Sequence, residues 1–454
     1  MRTRTSCVVV AVLSFCASAH AQSVPTRLLG ADLPVYGADA VATPQPSENP
    51  AGLVTLREVL GLALMQSPEL AAFSWEVRAR EARILHAARP PNPVVSTLLE
   101  DIGASGRASG ADGVVQPQAT IQLSQMIELG GKRAARQRLA ESARDLAAWD
   151  YEAARIDVFT RVARTFVDVL ASQQGVAVSE QTMRLVDEVQ QTVSARVTAG
   201  VVSPIEQTKA EVSLAAVRIE LARAQRTLAA DRSRLAALWG SNSARFQSAA
   251  GDLTVLPGVP PIEEIHSRLA QNPDLARWAA EIAQRQAALD LERTKRVPDV
   301  TVSAGYRRFT DIDSNALLIG ASVPLPLFDR NRAAIEEANV RLSKAQSEQR
   351  AAQLRVSATL AEAYRTLASA QDELATLTAN VIPGARSAFD ATSEGYRLGR
   401  FGYLEVLEAQ RTLVSANAQY LRALSEFHKA VADVERLIGA PLAAMAPVPP
   451  AVIQ

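Results

Sequence analysis

Cysteine is nearly absent from this chain. Its 454 residues contain two, Cys7 and Cys16, both close to the N-terminus. Nothing downstream can form a disulfide or offer a thiolate. Histidine is almost as scarce. His86, His266 and His428 stand far apart, and neither His-x-x-x-His nor Cys-x-x-Cys, the spacings of metal sites, occurs. There is no phosphate-cradling glycine loop and no nucleophile elbow. The expectation is therefore a protein without enzymatic activity, bound metal or cofactor. Charge of one sign is lacking too. Lys and Arg number 48, as do Asp and Glu, so nucleic acid is not an expected partner. Beyond the N-terminus no stretch offers the ~20 consecutive apolar residues of a membrane helix. Aromatic residues supply only 5%. Ala, Leu, Gln, Arg and Glu dominate instead, a helix-forming composition.

Residues 1–21 read as a secretory signal peptide. Arg2 and Arg4 form its basic start, 7–17 its apolar stretch, and Ala19-His20-Ala21 its small-residue cleavage site. Phe15, not a small residue, precedes Cys16, which argues against lipidation. An exported chain with no membrane helix is either soluble or inserted through β-strands. Residues 22–52 read as a flexible linker, 241–260 as a linker between repeats, and 441–454 as a Pro-rich tail.

Between these segments the chain repeats itself, over 53–240 and 261–440. Pro68 answers Pro273 and Pro93 answers Pro298, at an offset of 205. Arg133 answers Arg332, Gly200 answers Gly399, Glu206 answers Glu405 and Gly240 answers Gly439, at an offset of 199. The change in offset falls in a loop, where length differences cost little. Each copy opens with a short helix, 55–67 or 262–272. A second helix begins at Pro68 or Pro273, since proline favours a helix's first turn. A strand pair follows. Leu317, Ile319, Ala321 and Val323 alternate with Leu318, Gly320 and Ser322, and Val300, Val302, Ala304 and Tyr306 with Thr301, Ser303 and Gly305. The matching run 94–99 alternates poorly.

Long helical patterns begin near Lys132 and Arg332 and last about 70 residues, or roughly 100 Å. Pro383-Gly384 should interrupt the second one. Return helices follow breaks at Gly200 and Gly399. Leu214, Leu221, Leu228 and Leu235 are spaced by seven, as are Leu413, Tyr420, Phe427 and Val434. Strict sevens predict coiled-coil packing. Four strands are too few to close a membrane barrel, and open edges cannot face lipid. Two chains would give eight strands, with an interior filled by side chains. Three would give twelve, wide enough for a lumen.

Two segments carry a resemblance. Glu-Gly-Tyr-Arg-Leu-Gly-Arg-Phe-Gly-Tyr-Leu-Glu-Val-Leu-Glu-Ala-Gln at 394–410, together with the duplicated plan, resembles the TolC-type outer-membrane efflux proteins. Val-Pro-Leu-Pro-Leu-Phe-Asp-Arg-Asn-Arg at 323–332 is similar to the cobalt-zinc-cadmium subgroup. The resemblance implies a mainly α fold with a β-barrel part: a trimeric α/β-barrel with four membrane strands and long antiparallel coiled-coil helices per protomer. It implies a homotrimer in outer-membrane lipid with a helical extension into the periplasm. It also implies a membrane-fusion adaptor and an inner-membrane RND transporter as partners, and export of divalent cations such as cobalt, zinc or cadmium. Gly200, Val201, Ser203 and Pro204, and Gly399, Arg400, Phe401 and Gly402, match the adaptor-docking turns. Glu206, Glu405 and Glu408 match aspartates at the constriction, and Tyr396 a tyrosine that latches it. Phe401 stands where some members carry a latching arginine, and Lys209 is the first-copy counterpart of Glu408. Alternatives are the same channel serving multidrug efflux or type I protein secretion, or a periplasmic coiled-coil adaptor. The adaptor would have one helical hairpin and no duplicated strand pairs.

Overall fold

The computed structural model describes residues 49–100, 117–309 and 314–442. The expected signal peptide, most of the first linker, the tips of both strand pairs and nearly all of the Pro-rich tail lie outside the described residues.

The first copy runs through β1 (Gly52–Thr55), α1 (Leu56–Gln66), α2 (Pro68–Ala87), β2 (Val94–Glu100), β3 (Gln118–Ile127), α3 (Lys132–Thr198) and α4 (Pro204–Ala237). After β4 (Phe246–Ala250), the second has α5 (Ile262–Ser267), α6 (Pro273–Thr294), β5 (Val300–Phe309), β6 (Ser314–Ser322), α7 (Arg332–Thr376), α8 (Ile382–Arg397) and α9 (Tyr403–Ile438). Local chemistry sets the boundaries. Thr55 and Glu58 form a capping box at the start of α1. Pro68 and Pro273 open α2 and α6, where a missing N–H costs nothing. Gly130 and Gly131, both at positive φ, turn β3 into α3. Asp299 ties the copies together there: its Oδ1 accepts from the Leu129 N–H at 3.0 Å and from Lys132 Nζ at 2.6 Å.

Two details depart from the expectation. The helix expected over 262–272 is α5 followed by a 3-10 turn at Leu269–Gln271. Pro273 pushes Asn272 out of helical geometry (ψ 124), so the preceding turn tightens. The segment read as an inter-repeat linker contains β4, which pairs in parallel with β1. Both strands are too short for their alternation to register.

The other four strands form one antiparallel sheet in the order β2-β3-β5-β6, leaving β2 and β6 as free edges. Its faces are inverted relative to a soluble sheet. One row across it is Val95, Leu123, Ala304, Ile319, and a row on the same face is Thr97, Ile121, Tyr306, Leu317. This apolar face is bare: Leu317 is 85% and Ile319 91% exposed. The opposite face carries Ser96, Gln122, Gly305 and Ser303 and is largely half-buried in β3 and β5. There Arg307 donates to Thr120 Oγ1 at 3.0 Å and pairs with Glu100 at 3.4 Å. Gly305 is needed in this face, because a Cβ would sit 2.9 Å from the Ile121 carbonyl oxygen.

Below the sheet the helices pack lengthwise. α3 is unbroken over 67 residues. α7 ends in a π-helical segment, Leu377–Val381, before α8 restarts with Pro383 in its first turn. Pro383 has no N–H to continue the α-helical ladder, and the wider π turn absorbs the break. The seven-spaced residues face inward. Leu235, Phe427 and Val434 are fully buried, with Leu360, Leu367 and Leu374 of α7 beside them. No helix among the described residues is long and apolar enough to cross a membrane.

Candidate functional site

The end of the molecule away from the sheet is made of two tight turns. Each closes its descending helix with a left-handed glycine. Gly200 has φ 71 and Gly399 φ 74. Only glycine adopts this geometry without strain. At the first turn the Gly200 N–H donates to the Val197 carbonyl and the Val201 N–H to the Arg196 carbonyl, both at 2.9 Å. At the second, Gly399 N–H donates to Tyr396 O at 3.0 Å and Arg400 N–H to Gly395 O at 2.7 Å. Both are Schellman closures, offset by the repeat. The ascending helices start differently. Ser203 caps α4 with its hydroxyl, and Pro204 follows. Gly402 precedes α9 without a side-chain cap.

The two tips are joined through Tyr396, which is only 3% exposed. Its hydroxyl donates to Glu206 Oε2 at 3.1 Å. The Arg196 guanidinium lies 4.5 Å from the centre of its ring and donates through Nη1 to its carbonyl oxygen. The Tyr403 ring packs 6.0 Å away. Val189, Val193, Ala210, Phe389, Val406 and Leu413 enclose this group in a small core separate from the main one. Burial, then the bond to Glu206, pushes the Tyr396 phenol up to about 12. Burial also raises Tyr403. Tyr396 thus stays a neutral donor at any physiological pH.

The three glutamates expected at one constriction are not equivalent. Glu206 is half-buried and engaged with Tyr396, whereas Glu405 and Glu408 are exposed on the first turns of α9. Lys209 is exposed as well. Phe401 folds back over Gly395, where any side chain would strike its ring. Two participants escaped the sequence reading. Arg196 sits in the last turn of α3, where a cation reads as a partner of the helix dipole. Gly395 looked like ordinary helix interior, and only its closeness to the Phe401 ring marks it.

Among the described residues, no group of three or more His, Cys, Asp and Glu is placed to hold a metal ion. His428 instead contacts the Leu253 carbonyl through Nε2 at 2.8 Å, and His86 and His266 are exposed.

Two helical hairpins and one duplicated, inverted sheet exclude the adaptor plan of a single hairpin. A family model described as outer membrane efflux protein matches residues 59–241 and 265–440. The chain belongs to the outer membrane efflux protein family. It is 37% identical over 389 residues to the cobalt-zinc-cadmium resistance protein CzcC of Cupriavidus metallidurans, covering 86% of this chain and 91% of that one. It is 28% identical to the nickel-cobalt-cadmium resistance protein NccC of Alcaligenes xylosoxydans xylosoxydans, over 68% of each. In fold it is similar to a solved structure of CusC, with TM-score 0.71 at 16% identity over 90% of this chain and 99% of that one. This member of the outer membrane efflux protein family is an outer-membrane channel component with a helical extension on the periplasmic side.

Proposed function

We propose that three copies of this chain form the exit duct of a tripartite efflux system, and that its cargo is a divalent metal cation. The inverted sheet with two free edges carries the reading. Four strands cannot seal themselves against lipid, so β6 of one copy must find β2 of the next. Three copies close a twelve-stranded barrel (3 × 4) whose apolar face meets lipid and whose polar face lines a lumen. The hairpins continue the tube. The turns at Gly200, Val201, Ser203 and Pro204, and at Gly399, Arg400, Phe401 and Gly402, meet a periplasmic membrane-fusion adaptor. That adaptor links the duct to an inner-membrane RND transporter.

The likeness to CzcC and NccC supports metal cargo. So does the pair Glu405 and Glu408. Repeated three times around a narrow end, exposed carboxylates attract cations and repel anions. The duct conducts metal without capturing it. Purified protein in planar bilayers tests the ring. Glu405→Gln and Glu408→Gln should lower the preference for cations over anions, and unchanged selectivity would remove the ring from the mechanism. A deletion strain tests the cargo. Sensitivity to zinc, cobalt or cadmium supports the reading, while sensitivity to drugs alone overturns it.

A further inference from the structure

α4 carries a second apolar stripe that nothing among the described residues covers. Ile205, Val212 and Ile219 are seven apart and 62%, 65% and 61% exposed. At about 100° per residue they lie opposite Leu214, which is buried toward α3. They also point away from Glu206, which faces the protomer's own second hairpin through Tyr396. Seven-residue spacing of branched apolar residues is the knob side of a helix–helix seam.

The sheet says which neighbour stands there. Its free edges are β2, from the first copy, and β6, from the second. Closing a ring through these edges makes first-copy and second-copy elements alternate. Each first hairpin then has its own second hairpin on one side and a neighbour's on the other. On the second hairpin, Arg386, Phe389 and Ser393 of α8 line the grooves shared with the protomer's own α3. Gly384, Ala388 and Ala391 lie on the opposite side of α8, exposed, and present holes rather than knobs. The exposed face of α9 matches less well, because Glu405, Glu408, Arg411, Thr412 and Ser415 surround its one strongly exposed large apolar residue, Leu404. The heights agree. Counted from the turn glycines Gly200 and Gly399, Val212 and Ala388 stand within one residue of each other, and the two helices run antiparallel.

We infer that the Ile205–Val212–Ile219 stripe of α4 packs into the Gly384–Ala388–Ala391 stripe of α8 on the next protomer. The helical end of the duct is thereby closed by a seam that continues the β6–β2 seam above it. The inference rests on the trimeric reading and names the surface that holds the trimer together far from the membrane.

The absence of cysteine after residue 16 makes the test clean. Val212→Cys and Ala388→Cys are placed in one chain, singly and together, and the detergent-purified proteins are oxidised or bridged with a short bis-maleimide. Light scattering on each sample reports the assembly state independently. The expected result is covalent dimers and trimers on a denaturing gel for the double variant and only monomers for each single one. For the oxidised sample, the bands should collapse under reductant. A trimer by light scattering whose double variant yields only monomers under both treatments overturns the seam and leaves the trimer standing. The face would then be free for another occupant, such as an adaptor hairpin. An unsubstituted protein that is not a trimer by light scattering overturns both readings.

Discussion

The two hairpins of this protein share a plan and differ in stiffness. In the first, α3 descends as one unbroken helix of 67 residues. In the second, the same descent is split by the π-helical segment Leu377–Val381 and by Pro383-Gly384. The first-copy positions equivalent to Pro383 and Gly384 are Arg184 and Leu185, which continue the helix. The bonds between the tips are just as unequal. The first hairpin supplies the grip, Arg196 and Glu206, and the second supplies what is gripped, Tyr396. Duplication built a symmetric scaffold. A handful of differences between the copies make one arm a strut and the other a jointed arm held against it. We propose that this tip is a gate latched through Tyr396, and that the joint places the opening motion in one arm.

The comparison should vanish in the sheet, and the largest expected effect tests that. Leu123 of the first copy and Ile319 of the second both flank Ala304 in one row, so both stand near the middle of the same apolar face. An arginine on the lipid face costs about 2–4 kcal/mol at the bilayer midplane, and each ring carries the change three times. Leu123→Arg and Ile319→Arg should reduce trimer recovered from membranes to a similar extent, whereas Ser303→Arg on the polar face should be tolerated. A large difference between the first two would mean that the copies do not share one membrane-facing surface.

The next test gives the strut a joint. Arg184 is exposed, so Arg184→Pro removes little contact, but a helix-interior proline costs about 3 kcal/mol or more. Urea denaturation of the helical region should show a loss of that size, and single-channel recordings should show a noisier closed level. A straight α3 would then be confirmed as what the second arm pushes against. Unchanged stability and closure would mean that the first hairpin was never rigid.

Much of this division was legible in the chain itself. The repeat offset located both turns, and the seven-spaced residues marked the inward faces. The Pro-Gly pair announced the joint, because backbone chemistry acts locally. The resemblance named Tyr396 and Glu206, but neither their bond to each other nor the part played by Arg196 was legible. Arg196 and Tyr396 are far apart in sequence, and their pairing depends on how one hairpin is rotated against the other. Neither residue breaks a local pattern. The same holds for Glu206 against Glu405: the repeat makes them twins, and only the partner across the tip gives one of them a bond. The β1–β4 pair was hidden for another reason, since its strands carry too few residues for periodicity to speak.

Loosening the grip has a smaller effect than breaking the strut. A hydrogen bond to a charged group contributes about 1.5–3 kcal/mol. Tyr396→Phe keeps the ring under Arg196 and loses only the bond to Glu206, so it should raise the open fraction in planar bilayers by roughly tenfold or more. Arg196→Ala should act in the same direction, and the double variant should fall short of the sum because both act on one side chain. Titration gives an independent reading. The Tyr396 phenol is raised from its ordinary value near 10 to about 12. Its contribution to closure is therefore complete below about pH 10 and lost as pH climbs toward 12. Closure should be flat across the neutral range and fail only in strong alkali. A transition near pH 7 would point to another group.

The smallest effect comes from stiffening the joint. Gly384 is exposed, lies in ordinary helical geometry, and has nothing within 4 Å of an added Cβ. Gly384→Ala should favour helix by about 1 kcal/mol without disturbing a neighbour among the described residues of the protomer, and it gives this hole of the proposed seam the same size as those at Ala388 and Ala391. In the unaltered tip this change should be nearly silent, because the grip on Tyr396 already holds the arm. In the Tyr396→Phe background it should bring the open fraction part-way back down, since a stiffer joint resists the motion that the lost bond had been restraining. Bilayer recordings of the four combinations separate the alternatives. If Gly384→Ala lowers opening only when the grip is weakened, joint and grip oppose each other in one arm. If it acts equally in both backgrounds, the motion that opens the tip does not pass through the π segment.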